Sequence, residues 1–235
     1  MLKTIGFVLF KKNISELDRE YCFFTKKYGK IRLLAKSVKK SLSKLTGQLE
    51  PPSLVNFIFT PTGEKGLLIT ALAKKSFVKI RRDYEKLKIY ERWCFLIDCF
   101  TLEKQPDHKL WKLLKKSLSF LEKKDWRMVN LYFICQLIDT LGLALNTKNC
   151  AQCHKKINQG KKIGLAFLKG GFLCHDCSLR SDVVFDKDIL TILDLFFFEN
   201  TSLNVLTKHR TIAPDVYKKT MVVLENYLNY IKKYY

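Results

Sequence analysis

Cys150-Ala-Gln-Cys153 and Cys174-His-Asp-Cys177 are two C-x-x-C pairs separated by residues 154–173. This spacing constrains the chain more than any other feature. Two residues between cysteines let a tight turn aim both thiolates at one ion, and two such turns complete the tetrahedral thiolate set that zinc favours. Gly160, Gly164, Gly170 and Gly171 lie in the intervening segment and permit the tight returns of a ribbon. Four thiolates leave no open coordination position, so the predicted zinc site is structural and not catalytic. Cys150–His154 also spells the haem-attachment string C-x-x-C-H, which would leave the second pair unexplained. A redox C-x-x-C would need a βαβ context that is missing. His154 and His175 adjoin ligating cysteines, which points their rings elsewhere. The other cysteines, Cys22, Cys94, Cys99 and Cys135, fall in apolar patterns and are expected as buried thiols.

Around this site the chain divides into two modules. Residues 1–80 read as β: MLKTIGFVLF, REYCFFTKKYG, KIRLLAKS, SLVNFIFTP and GLLITALAKKSFV are short and rich in β-branched and aromatic residues. Turn signals at Tyr28-Gly29-Lys30, Pro51-Pro52 and Pro61-Thr62-Gly63 separate several of them. Five short strands in about 80 residues fit a small closed barrel, of which the five-stranded OB-fold is the commonest nucleic-acid-binding form. Near Arg81 the period changes. Leu87, Tyr90, Trp93, Cys94, Ile97 and Phe100 predict a helix over about 83–102. Pro106 and Asp107 open a second helix, and Asp125 caps a third that Gly142 ends. Asp186 and Asp188 start another through Phe196, and Pro214 opens the last. The expected fold class is therefore α+β: an OB-fold barrel over 1–80, then a helical domain over 81–235 with a four-cysteine zinc finger inserted at 148–180.

Charge is the strongest global signal. The 235 residues carry 43 Lys and Arg against 22 Asp and Glu, a net charge of +21, and such a charge concentrates polyanions around a protein. Its distribution is uneven. Residues 1–82 hold 18 basic against 5 acidic side chains, whereas residues 83–147 hold 11 against 9. No acid occurs between Glu20 and Glu50, while Lys26, Lys27, Lys30, Arg32, Lys36, Lys39, Lys40 and Lys44 do. Cations track phosphates, and the interleaved Tyr21, Phe23, Phe24 and Tyr28 either stack unpaired bases or fill the barrel core. Candidate DNA contacts are Lys36, Lys39, Lys40 and Lys44, with Arg32 and Lys26 behind them.

Enzyme signatures are missing: the sequence has no phosphate-binding Gly-Lys loop, no H-E-x-x-H and no G-x-S-x-G. A zinc-containing nuclease or other nucleic-acid-processing enzyme is the alternative reading, and an RNA-binding structural protein a third. The start shows no small-residue cleavage site, and no apolar stretch reaches the roughly 20 residues that span a bilayer. The expected location is a reducing cytoplasm, where eight cysteines mean metal or buried thiols more often than disulfides.

These parts together resemble the RecO family of bacterial recombination and repair proteins. Phe24-Thr25-Lys26-Lys27-Tyr28-Gly29-Lys30-Ile31 is similar to the family's strand–turn–strand. Ala35-Lys36-Ser37-Val38-Lys39-Lys40, then Ser43 and Leu49-Glu50-Pro51, is similar to its basic loop, with Ser37 where a glycine is usual. Leu141-Gly142-Leu143, the four cysteines and Gly170-Gly171 resemble its zinc region, with His154 where a glycine often follows the second cysteine. The resemblance implies a nucleoid-associated protein that binds single- and double-stranded DNA and anneals complementary strands. It implies action with RecR in helping RecA displace single-stranded-DNA-binding protein, whose acidic C-terminal tail such proteins also bind.

Overall fold

The computed structural model describes residues 1–41, 43, 45–62, 65–157, 162–178, 184–197 and 211–234. Five strands open the chain: β1 (Leu2–Asn13), β2 (Arg19–Thr25), β3 (Gly29–Ala35), β4 (Ser53–Thr60) and β5 (Gly66–Ser76). They close into a barrel in the order β1-β2-β3-β5-β4, with β1 paired to both β2 and β4. The β3–β5 pairing is parallel and the others antiparallel, which is the five-stranded OB arrangement that the sequence predicts. Period-two alternation fills the interior. Val8, Tyr21, Phe23, Ile31, Leu33, Val55, Phe57 and Leu68 form one buried cluster. Phe23 stacks on Phe57 with ring centroids 4.4 Å apart.

β3 and β5 meet at Leu33–Gly66 and Leu34–Leu67. The segment between β3 and β4 folds over the seam beyond them. Val38 and Leu49 enter the core at 0% exposure, and the Ala73 amide donates to the Gln48 side chain at 2.9 Å.

Three helices continue the same compact unit, which runs from Met1 to Lys123: α1 (Val78–Arg81), α2 (Tyr84–Phe100) and α3 (His108–Leu121). Strand gives way to helix between Ser76 and Val78, and the unit continues past that point because α2 and α3 cover the outer face of β1–β3. Phe7 and Phe24 point out of the barrel and pack on Trp111 of α3, with centroids 4.7 and 6.3 Å away. The Tyr90 hydroxyl donates to the Val8 carbonyl. Gly29 turns the β2–β3 hairpin at φ +64°, and a Cβ there would lie 2.0 Å from the Gln105 carbonyl oxygen, so only glycine fits.

The second unit, Lys124–Tyr235, begins with α4 (Trp126–Thr140). Asp125 caps it, accepting from the Arg127 and Met128 amides as predicted. α6 (Lys187–Phe197) and α7 (Pro214–Tyr234) pack against α4. The Gln136 side chain donates to the Phe196 carbonyl, and Asn130 donates to the Tyr217 hydroxyl. Between α4 and α6 lie the strands β6 (Ile163–Ala166), β7 (Gly171–Leu173) and β8 (Val184–Phe185), in sheet order β7-β6-β8, and the short α5 (His175–Ser178).

Cys22, Cys94 and Cys135 are buried, as expected, and burial pushes the Cys22 thiol up to about 12. Cys99 corrects the expectation: it is exposed, one residue beyond Asp98, on the outward face of the end of α2.

Trp111 joins α3 to both strands of the covered face. Trp111→Ala should cost about 3–5 kcal/mol of stability in denaturant unfolding. A loss below about 1 kcal/mol would mean that the helices do not brace the barrel.

Candidate metal centre and basic surface

The four cysteines of the two C-x-x-C pairs come together. Their sulfur atoms all lie within 4.8 Å of one another, and Cys153 Sγ and Cys174 Sγ are 3.7 Å apart. Four sulfurs at tetrahedron corners, each about 2.3 Å from a zinc ion, stand about 3.8 Å apart. The set therefore fits one tetrahedrally held ion.

Local backbone builds the site. The first pair lies on a turn tied to β7, where the Ala151 amide donates to the Phe172 carbonyl. The second pair spans the end of β7 and the start of α5. Amides also aim at sulfur: the Gln152 amide donates to Cys150 Sγ at 3.4 Å. Burial pushes the Cys150 thiol up, but the backbone N–H groups of Cys153, Cys174 and Gln152 outweigh it and hold the group down at about 6. Contact with the Cys174 thiol, then burial, pushes Cys177 up to about 12. A dication bound at such a site favours the thiolate form of its ligands. A tetrahedral ion held by all four sulfurs would brace the turn and keep no open coordination position.

The basic residues do not form one cluster. Lys36 and Lys40 are exposed, and Lys39 is half-buried, on the segment that leaves β3. Buried Val38 anchors that segment from below. It is also tied to the β1–β2 loop: the Ser37 amide donates to Asp18 Oδ1 at 2.7 Å, and the Lys39 amide donates to the Leu17 carbonyl at 3.1 Å. Asp18 is a positioning residue that the spacing of charges did not reveal. Lys44 lies outside the described residues. Lys26 is exposed at the opposite end of the β2–β3 hairpin. The register runs from Arg19–Ala35 to Thr25–Gly29, so Lys26 is about 20 Å from the Lys36 end at ~3.4 Å per residue.

Arg32 lies on the covered face. Its guanidinium donates to Asp98 Oδ1 at 2.8 Å and to Glu103 Oε1 at 2.7 Å. Lys30 is buried beside it, 2.9 Å from the same Asp98 oxygen. Three of the aromatics that interleave with these cations belong to the protein interior, since Tyr21, Phe23 and Phe24 are 0% exposed, while Tyr28 is half-buried and stands edge-on to Phe59. OB-folds commonly hold oligonucleotides on the face of strands 2 and 3 and on adjoining loops. Here α2 takes that face through Lys30 and Arg32, while Lys26, Lys36 and Lys40 on the adjoining turns stay exposed.

A model of the recombination protein O N-terminal region matches residues 1–75, and one of its C-terminal region matches residues 81–198. The chain belongs to the RecO family. A DNA repair protein RecO from Acetivibrio thermocellus is 30% identical over 178 residues, 75% of this chain and 70% of that protein. Another from Alkaliphilus metalliredigens is 24% identical over 230 residues, 97% and 92% of the two chains. One from Desulforamulus reducens is 25% identical over 231 residues, 97% and 88%. Ser37 and His154, where the resemblance implies glycine, both take left-handed backbone, at φ +53° and φ +60°, a conformation that glycine adopts without strain. Among the described residues no helix is long and apolar enough to cross a membrane.

Elemental analysis of the purified protein should find about one metal ion per chain, and Cys174→Ser should lose it. A folded wild-type chain without metal would contradict the site.

Proposed function

We propose that this chain is a non-enzymatic DNA-binding mediator of repair and recombination. Its family supports this reading, as do the names of its relatives. The single observation that carries it is the acid-free basic segment held at one end of the barrel. Lys36, Lys39 and Lys40 stand on a loop that buried Val38 and the Asp18 carboxylate hold in place. The mechanism is charge neutralisation. Lysines along the loop replace counterions on the phosphate backbone, and two complementary strands can then approach without mutual repulsion. Lys44 belongs to the same run of sequence. Lys26 serves strands that pass along the barrel, and Arg32 ranks lower because two carboxylates engage it.

In this reading the protein binds single- and double-stranded DNA and anneals complementary strands in the cytoplasm, at the nucleoid. It acts with RecR to help RecA onto strands coated by single-stranded-DNA-binding protein, whose acidic C-terminal tail it also engages. The four-cysteine set holds one structural zinc ion, and the protein cleaves nothing.

Replacing Lys36, Lys39 and Lys40 together with Glu should weaken DNA binding by more than tenfold. It should also lower the slope of log affinity against log salt by about 2–3, since each phosphate contact contributes roughly 0.7–0.9. A folded triple variant with wild-type affinity and slope would contradict the assignment.

A further inference from the structure

The second unit carries an aromatic column that neither the metal centre nor the basic loop uses. Tyr227, Tyr230 and Tyr234 of α7 recur at steps of three and four and so share one helix face. Phe167, on the 3-10 turn that joins β6 to β7, completes the group. The Phe167, Tyr227 and Tyr230 rings are nearly parallel. Phe167 lies 5.6 Å and 16° from Tyr230, and 6.1 Å and 10° from Tyr227. Tyr227 and Tyr230 are 6.5 Å and 8° apart. Tyr234 extends the group toward solvent, 4.8 Å from Tyr230 with its ring tilted by 39°. The column runs from core to solvent: Tyr227 is 3% exposed, Tyr230 is half-buried and Tyr234 is 59% exposed. At its other flank Leu168, the neighbour of Phe167, is 86% exposed.

Burial explains Tyr227, whose hydroxyl donates to the Leu143 carbonyl at 2.9 Å. It does not explain why the column ends in open rings. The charge around that end does. Residues 162–175 and 226–234 contain no acid; Lys169 is exposed on the turn that carries Phe167, and Lys232 and Lys233 are exposed next to Tyr234 in the chain. Lys233 Nζ rests 5.2 Å from the Tyr234 ring centroid.

We propose that the column ending at Tyr234 is a stacking platform for the unpaired bases of single-stranded nucleic acid. Every base has a π-face, so a ring set among cations binds unpaired strands with little regard to sequence. A base that stacks on Tyr234 displaces Lys233, whose ammonium then meets a backbone phosphate. The basic loop of the barrel neutralises phosphates of any strand, whereas this platform selects strands whose bases are free. The proposal rests on the reading that the chain binds nucleic acid and assigns a second contact surface for it.

The test uses the full chain and fluorescence anisotropy with three probes: an oligodeoxythymidine, the oligouridine of equal length and a DNA duplex. A second oligodeoxythymidine, carrying 2-aminopurine, reports stacking through quenching. Tyr234→Ala should weaken binding of the single strands about tenfold, abolish the quenching and leave duplex affinity unchanged. Tyr234→Phe should keep wild-type behaviour. Loss on the deoxy strand alone would assign DNA, and loss on both strands would assign unpaired bases of either sugar. Tyr234 is exposed, so truncation leaves the fold intact, which retained metal content confirms. Equal single-strand affinity and quenching in wild type and Tyr234→Ala would overturn the platform and leave the column as a protein-packing surface. Wild-type protein that binds none of the probes would overturn the parent reading as well, and that result is distinct from the first.

Discussion

The contact of Phe7 and Phe24 with Trp111 is what the first unit depends on. It buries the β1–β2 sheet on its outer face, while Phe23 and Tyr21 bury it on the inner one. Three large rings withdrawn from water contribute several kcal/mol by area alone. A sheet covered on both sides cannot also present its aromatics to bases. The same covering brings Asp98 and Glu103 onto Lys30 and Arg32. Lys30 and Arg32 are therefore engaged on the barrel wall, while Lys26 at the hairpin turn and Lys36 and Lys40 where the chain leaves β3 stay exposed. The segment after β3 buries Val38 and Leu49 in the core and shows Lys36 and Lys40 to solvent.

Different physics orders the two units. The barrel and its covering helices give the loop lysines a rigid base. The four cysteines gather where the strands are short, at β6, β7 and β8, and an ion bound there would supply order that so small a sheet lacks the apolar area to provide. It would also anchor the return of the chain next to the 3-10 turn that carries Phe167.

Legibility followed sequence separation. The clustering of the four cysteines was legible, because each pair is set by one turn and the spacing alone brings the sulfurs together. Strand alternation and the Asp125 cap were equally local. The burial of both Phe23 and Phe24 was not local. β2 reads Tyr-Cys-Phe-Phe, and the partner of its outward ring, Trp111, lies far along the chain on α3. Arg32 reads as a free cation for the same reason, since Asp98 is 66 residues away. Asp18 looks like one acid in a basic region until its carboxylate is seen on the Ser37 amide. Cys99 follows an apolar pattern yet faces outward, because which side of α2 meets the barrel is decided by tertiary packing.

Strand annealing measures the proposed mediator role itself. Complementary oligonucleotides coated with single-stranded-DNA-binding protein should pair faster when this chain is added, with every strand recovered at full length. Unchanged annealing, or strands shortened in proportion to added protein, would contradict it.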